Sequence, residues 1–294
     1  MKKNMRILSL AAVVTVAGCS VKEAPKSADS TAAAGAPAAT RAAAPSHVNV
    51  VATDYKFDAP AEVSAGMVTF SLTNSGKEIH HVSLIKLDSA RTMDDLMAGM
   101  KAMKPGAAPP GWMIPAGGPN AAAPGNTTNL TMSLEAGNYV LFCFVPDAKG
   151  VPHFMHGMAK ALTVIPSTVA ESPDPDADVT LTLSDYKFDF SKVLDSGHHT
   201  IKIEVAAGQP HEFTLFQLAP GKTAADVVKF VEGGMKGTPP GMPVGGVSGL
   251  ASGRVAFFDV DLKPGNYAAV CFLSDMKDGK PHFVHGMTQT IKII

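Results

Sequence analysis

Pro152-His153-Phe154-Met155-His156-Gly157-Met158 returns near the end of the chain as Pro281-His282-Phe283-Val284-His285-Gly286-Met287, an offset of 129 residues (152 to 281). Upstream of each copy stands a second matched stretch. Ala136-Gly137-Asn138-Tyr139 meets Pro264-Gly265-Asn266-Tyr267, and four residues after each tyrosine comes a cysteine, Cys143 and Cys271. Further upstream, Asp54-Tyr55-Lys56-Phe57-Asp58 recurs verbatim as Asp185 to Asp189, and at that same offset His80 meets His211 and Gly66 meets Gly197. The offsets drift by only a few residues across the whole copy, so the chain is a tandem duplication.

Each copy reads as strands. Met67–Leu72, Val82–Leu87, Thr127–Leu134 and Tyr139–Phe144 alternate or are rich in β-branched and aromatic residues, with Gly, Asn and Pro between them. One helix interrupts the pattern. Thr92 with Asp94 and Asp95 starts it, and Met97, Met100 and Met103 continue at helical spacing. That stripe reads as core filler rather than metal ligation, because its counterpart from Thr223 to about Glu232 carries Val227, Val228 and Val231 instead. After each helix comes a Pro/Gly-rich stretch, 105–125 and 237–253, read as a loop. Short strands, one helical insertion and no βαβ alternation predict an all-β chain of two tandem β-sandwiches.

The flanks set the organisation. Lys2, Lys3 and Arg6 precede an apolar run from Ile7 to Val16 that is too short to span a bilayer, then Val16-Ala17-Gly18-Cys19. This ending resembles the lipobox of bacterial lipoproteins, which implies a signal peptide at 1–18 and lipid on Cys19. Ser20 in the next position implies the periplasmic face of the outer membrane. Residues 19–46, dominated by Ala, Pro, Ser and Thr, read as a tether. The first domain is then 47–165, Pro166–Ala177 a linker, and 178–294 the second domain. With 25 basic and 26 acidic side chains and no basic stripe, nucleic acid is excluded as a partner.

With Cys19 set aside, each copy holds one cysteine, too few for a disulfide within a domain. A lone thiol in an exported domain is either inert core or a metal ligand. A copper ion of the blue type takes two imidazoles, a thiolate and a weak thioether. The order His80, Cys143, His153, Met158, repeated as His211, Cys271, His282, Met287, offers that set twice.

These residues resemble the cupredoxin (plastocyanin-like, type 1 blue copper) family. The most specific element is Pro-His, three residues, Gly-Met, then a strand, here Pro152-His153…Gly157-Met158 before Leu162-Thr163-Val164. The resemblance implies two Greek-key sandwiches with one copper in each. One departure stands: nine residues separate Cys143 from His153 and ten separate Cys271 from His282, against only a few in plastocyanin-like loops. Asp147–Gly150 and Asp275–Gly279 read as turn inserts that loop out and return. His156 and His285 are alternative ligands, since His-Gly-Met resembles the His-X-Met element of periplasmic copper chaperones. His81 is matched by Glu212 and so is not read as a ligand; His198 and His199 are read as surface residues.

Three functions fit: a lipid-anchored electron carrier with a periplasmic redox partner, a copper delivery or storage protein, and a metal-free binding or scaffold module. A single cysteine per loop excludes a dinuclear copper centre. No His-X-His pair for a trinuclear cluster, no Ser-His-Asp signature and no phosphate loop is present. The expectation is a protein that is not an enzyme.

Overall fold

The computed structural model describes residues 44–88, 90–103 and 109–294. The signal peptide, the Cys19 lipidation site and nearly all of the tether lie outside them. Among the described residues, no helix is long and apolar enough to cross a membrane.

The first copy supplies β1 (Ser46–Thr53), β2 (Lys56–Asp58), β3 (Glu62–Ser64), β4 (Gly66–Asn74), β5 (Ser83–Leu87), α1 (Met93–Ala102), β6 (Met113–Gly117), β7 (Thr127–Leu134), β8 (Gly137–Phe142) and β9 (Ala159–Ile165). The second supplies β10 (Val179–Ser184), β11 (Lys187–Phe190), β12 (Gly197–Val205), β13 (His211–Leu218), α2 (Ala224–Glu232), β14 (Gly241–Leu250), β15 (Val255–Leu262), β16 (Gly265–Val270) and β17 (Thr288–Ile293). Alternation places one face of each strand inward. In β1, Val48, Val50 and Ala52 are buried while His47, Asn49 and Val51 face out. Both helices start on a capping box, Thr92 with Asp95 and Thr223 with Asp226, which satisfies backbone donors that the first turn leaves free.

In each half β-strands from two sheets pack face to face, with neighbours that are not consecutive in sequence, as crossing Greek-key connections produce. The expected all-β pair of sandwiches is therefore present. Both sheets, however, run through both halves. One has the order β11-β10-β12-β15-β7-β4-β1-β2, the other β17-β16-β13-β14-β6-β5-β8-β9-β3. The join is a pseudo-two-fold axis. β7 and β15 pair antiparallel with the matched residues Leu130 and Phe258 directly opposite each other. A single apolar cluster runs from Val48 in the first half to Ile293 in the second.

The second junction uses stretches that read as loops. Gly241–Leu250 and Met113–Gly117 are strands that pair at Leu250 and Ala116, and the residues just after the second extend the contact through Asn120 N–H to Gly246 O (3.0 Å) and Ser248 N–H to Gly118 O (2.9 Å). Their glycine content misleads because it serves close approach. A Cβ on Gly246 (φ 126°) would lie 1.9 Å from Phe213 O, and one on Gly118 (φ 128°) 2.4 Å from Val82 O. Pro166–Ala177 carries no helix or strand.

Candidate metal centres

Cys143 follows the end of β8, and its neighbours in space arrive from both directions along the chain. His80 leads into β5, held by a bridge to Ala122, and His153 opens the 3-10 turn His153–His156. The nine-residue separation is absorbed by a pinched insert. Pro146 and Pro152 bridge to each other, Asp147 N–H bonds Val151 O at 2.8 Å, and Asp147 Oδ1 accepts from the amides of Lys149 (2.8 Å) and Val151 (2.9 Å). The chain leaves at Val145 and comes back beside it, with His153 N–H on Val145 O at 2.9 Å. The second copy does the same with one residue more: Ser274 bridges Pro281, Asp275 N–H bonds Lys280 O, and His282 N–H bonds Leu273 O. The inserts do loop out and return, so the long loop still sets cysteine and histidine side by side.

The result is two buried donor groups, His80–Cys143–His153 and His211–Cys271–His282, each with its ligand atoms within 4.8 Å of one another. In the first, His80 Nδ1 and His153 Nδ1 are 3.1 Å apart, and Cys143 Sγ lies 3.9 and 3.5 Å from them. In the second, the two Nδ1 atoms are again 3.1 Å apart and Cys271 Sγ is 3.2 Å from His282 Nδ1. All six side chains are fully buried, as are Met158 and Met287. Each methionine is tied by its backbone to the centre, Met158 O accepting from Cys143 N–H and Met287 O from Cys271 N–H.

The outer ring nitrogens meet carboxylates. His80 Nε2 is 3.2 Å from Asp54 Oδ1 and His211 Nε2 is 3.0 Å from Asp185 Oδ1. His153 Nε2 is 2.7 Å from Glu78 Oε2, whereas His282 Nε2 is 3.8 Å from Asp275 Oδ2. In His80 and His211, donation from Nε2 to the aspartate leaves the Nδ1 lone pair free for a metal, the orientation a bound imidazole needs, whereas Nε2 of His153 and of His282 makes no hydrogen bond among the described residues. These carboxylates are functional groups that the sequence reading missed. The verbatim Asp-Tyr-Lys-Phe-Asp repeat was their signal. Asp54 and Asp185 orient the first histidines, while Tyr55 and Tyr186, both in the left-handed region (φ 68° and 66°), lay their rings against His153 and His282.

Burial governs the protonation states. It pushes the Cys143 thiol up to about 12 and the Cys271 thiol well above its ordinary value. It lowers the four imidazoles despite the carboxylates that pull the other way, His282 to about 4. Asp275 is held well below the usual carboxylate range by hydrogen bonds from Tyr186 and Gln209. The metal-free centres therefore hold neutral imidazoles and a neutral thiol.

His156 and His285 do not join these groups. They sit at the outer ends of the 3-10 turns, His156 Nε2 on Asp147 Oδ2 (3.0 Å) and His285 Nε2 on Asp278 Oδ1 (3.2 Å). His81 accepts the Phe144 N–H at 2.9 Å, and Glu212, its counterpart, accepts the Phe272 N–H at 2.8 Å. The swap of residue type preserves one structural bond. His198 is exposed as expected. His199 is not: it is buried, between Asp178 Oδ2 (2.7 Å) and Asp195 O (2.9 Å), because a neighbouring carboxylate and carbonyl satisfy both ring nitrogens.

Two imidazoles and one cysteine sulfur, buried and brought together, with a buried methionine bonded through its backbone to the cysteine amide, fit copper: soft sulfur with borderline nitrogen is its donor set, and hard cations want oxygen.

Comparison with known proteins gives structural likeness only. No family model and no curated protein matches the chain. An auracyanin from the photosynthetic bacterium Roseiflexus castenholzii matches at 19% identity over 42% of this chain and 100% of its own, TM-score 0.28. A multicopper oxidase matches at 12% over 84% of this chain and 88% of its own, TM-score 0.22, and a copper-containing nitrite reductase from Thermus scotoductus at 10% over 84% and 61%, TM-score 0.24. These scores carry no argument for activity. The presence of two enzymes among the matched chains nevertheless corrects the expectation of a non-enzyme, and the exclusion of catalysis is withdrawn.

Proposed function

We propose that each half binds one copper ion, through His80, Cys143 and His153 with Met158, and through His211, Cys271 and His282 with Met287, and that the pair moves electrons. The observation that supports this most directly is the recurrence of a fully buried His-Cys-His group at matched places in both halves. Copper, when bound, supplies a one-electron couple. The chain supplies the rest. Its ligands come from the end of β8 or β16, the start of β5 or β13 and a 3-10 turn, all anchored by backbone bonds, so the donors are held alike in both oxidation states. Asp54 and Asp185 fix the orientation of His80 and His211, and the amides of His81 and Val145 hydrogen-bond to the Cys143 sulfur, as those of Glu212 and Leu273 do to Cys271. Amide donors on a thiolate stabilise its charge. Tethering through Cys19 at the cell envelope, close to a periplasmic redox partner, is part of the same proposal.

Copper(II) added to the purified chain should give an intense thiolate-to-copper absorption with two ions per chain. Cys143→Ser and Cys271→Ser should each remove half of it. A colourless chain that holds only copper(I) would favour delivery or storage, and a chain that binds neither ion would sink the proposal.

A further inference from the structure

Between the halves, across the pseudo-two-fold axis, lies a cavity of about 460 Å³. That volume is within the range of small-molecule sites, and such sites favour the junctions between domains. Its walls are apolar and come from both copies, with Ile85, Met100 and Phe144 from the first and Phe216, Phe230 and Phe272 from the second. Thioether and phenyl walls adapt to flat or branched apolar bodies.

The acidic and basic side chains among the described lining residues are few and of one sign. Glu212 lines the cavity and is 5% exposed. Its Oε1 accepts the Phe272 N–H, while Oε2 has no hydrogen-bond partner among the described residues. Asp275 also lines the cavity, with its carboxylate taken up by Tyr186 and Gln209. His81 is engaged by the Phe144 N–H. No lysine or arginine is among the lining residues. A buried carboxylate with an open oxygen, four phenylalanines in the same lining and no lysine or arginine among the described lining residues form a complementary site for one chemistry. A cation pairs with the open carboxylate oxygen, and aromatic faces attract the same cation.

We infer that this cavity binds a small organic cation, an ammonium head on an apolar body, with the head on Glu212 Oε2 and the body among the phenylalanines and methionines. None of the six histidine and cysteine side chains of the metal centres lines the cavity, although Glu212 and Phe272 adjoin His211 and Cys271 along the chain.

Calorimetry on the metal-free full chain tests it with a matched pair of probes, 2-phenylethylammonium and the uncharged 2-phenylethanol. The expected result is one site per chain and at least about tenfold tighter binding of the ammonium. Glu212→Gln keeps an acceptor for the Phe272 N–H and should bring the two probes to equal affinity. Gly249→Phe places a ring in the cavity from a position where an added Cβ meets only ordinary contacts at 3.7 Å, and should abolish binding of both. Circular dichroism and the melting temperature of each variant verify the fold. Equal affinity of the two probes in the parent chain, no binding of the ammonium, or undiminished preference in Glu212→Gln would each overturn the inference.

Discussion

Metal binding at pH 6.0 should release fewer protons per ion than ordinary imidazoles would give, and the shortfall follows from the buried centres. Zinc serves as a probe that fits the same nitrogen and sulfur donors without changing oxidation state. Coordination requires the thiolate and unprotonated Nδ1 atoms. With the Cys143 thiol pushed up to about 12, essentially every thiol is protonated before the ion arrives, so each site gives up one proton from sulfur. The imidazoles decide the remainder. At an ordinary pKa of about 6.5, each would be about three-quarters protonated at pH 6.0, and release would reach about 2.5 protons per ion. Burial lowers all four and so reduces that share, and His282, at about 4, adds close to nothing. The same burial weakens binding. Raising the thiol from its ordinary value of 9.0 to about 12 costs about 4 kcal/mol of apparent affinity at fixed pH, at about 1.36 kcal/mol for each tenfold step. Affinity should then climb tenfold per pH unit through neutrality. Calorimetry in two buffers of different ionisation enthalpy counts the protons. Release of about 2.5 or more protons per ion at pH 6.0, or affinity flat between pH 6 and 8, would refute the reasoning.

Three further outcomes follow from the junction and the buried imidazoles. Asn120→Ala removes the side chain that donates to Thr214 Oγ1 (2.8 Å) and Val247 O (3.1 Å) across the axis and accepts from Ala121 N–H. At about 1 kcal/mol per lost bond, plus the cost of stranded buried partners, stability should fall by about 2–4 kcal/mol; a drop in melting temperature under about 2 °C would count against this. Gly246→Ala, whose Cβ would meet Phe213 O at 1.9 Å in a left-handed conformation, should destabilise by at least about 2 kcal/mol, measured by urea unfolding. The metal-free chain should also lose stability as pH falls from about 6.5 towards 4. In that window unfolded histidines take up protons that His282 in the folded chain, at about 4, does not, so more protons bind the unfolded state and stability rises with pH. A urea midpoint unchanged between pH 6.5 and 4.5 would contradict it.

The legible part of this protein is the part written in short-range pattern. Strand periodicity marked β4, β5, β7 and β8, and capping residues marked both helices, because alternation and local hydrogen bonding act within a few residues. Comparing the copies separated His80 from His81, and the structure gives the reason: position 81 needs only an acceptor for the next strand's amide, which Glu212 provides equally well. Glycine was the misleading signal. It reads as loop, yet in β6 and β14 it lets two backbones meet, and sequence does not say what lies opposite a glycine.

The His-Cys-His-Met order was therefore determined by the sequence alone, together with the duplication that repeats it. Whether those residues meet was not, since closure across nine or ten residues depends on the turn that pinches Pro146 onto Pro152 and Ser274 next to Pro281. The carboxylates behind each imidazole, the continuous sheets through the axis and the negatively lined cavity also belong to tertiary structure. Each joins residues far apart along the chain, as Asp54 joins His80 and Asn120 joins Val247, and burial in common, rather than local propensity, sets their chemistry.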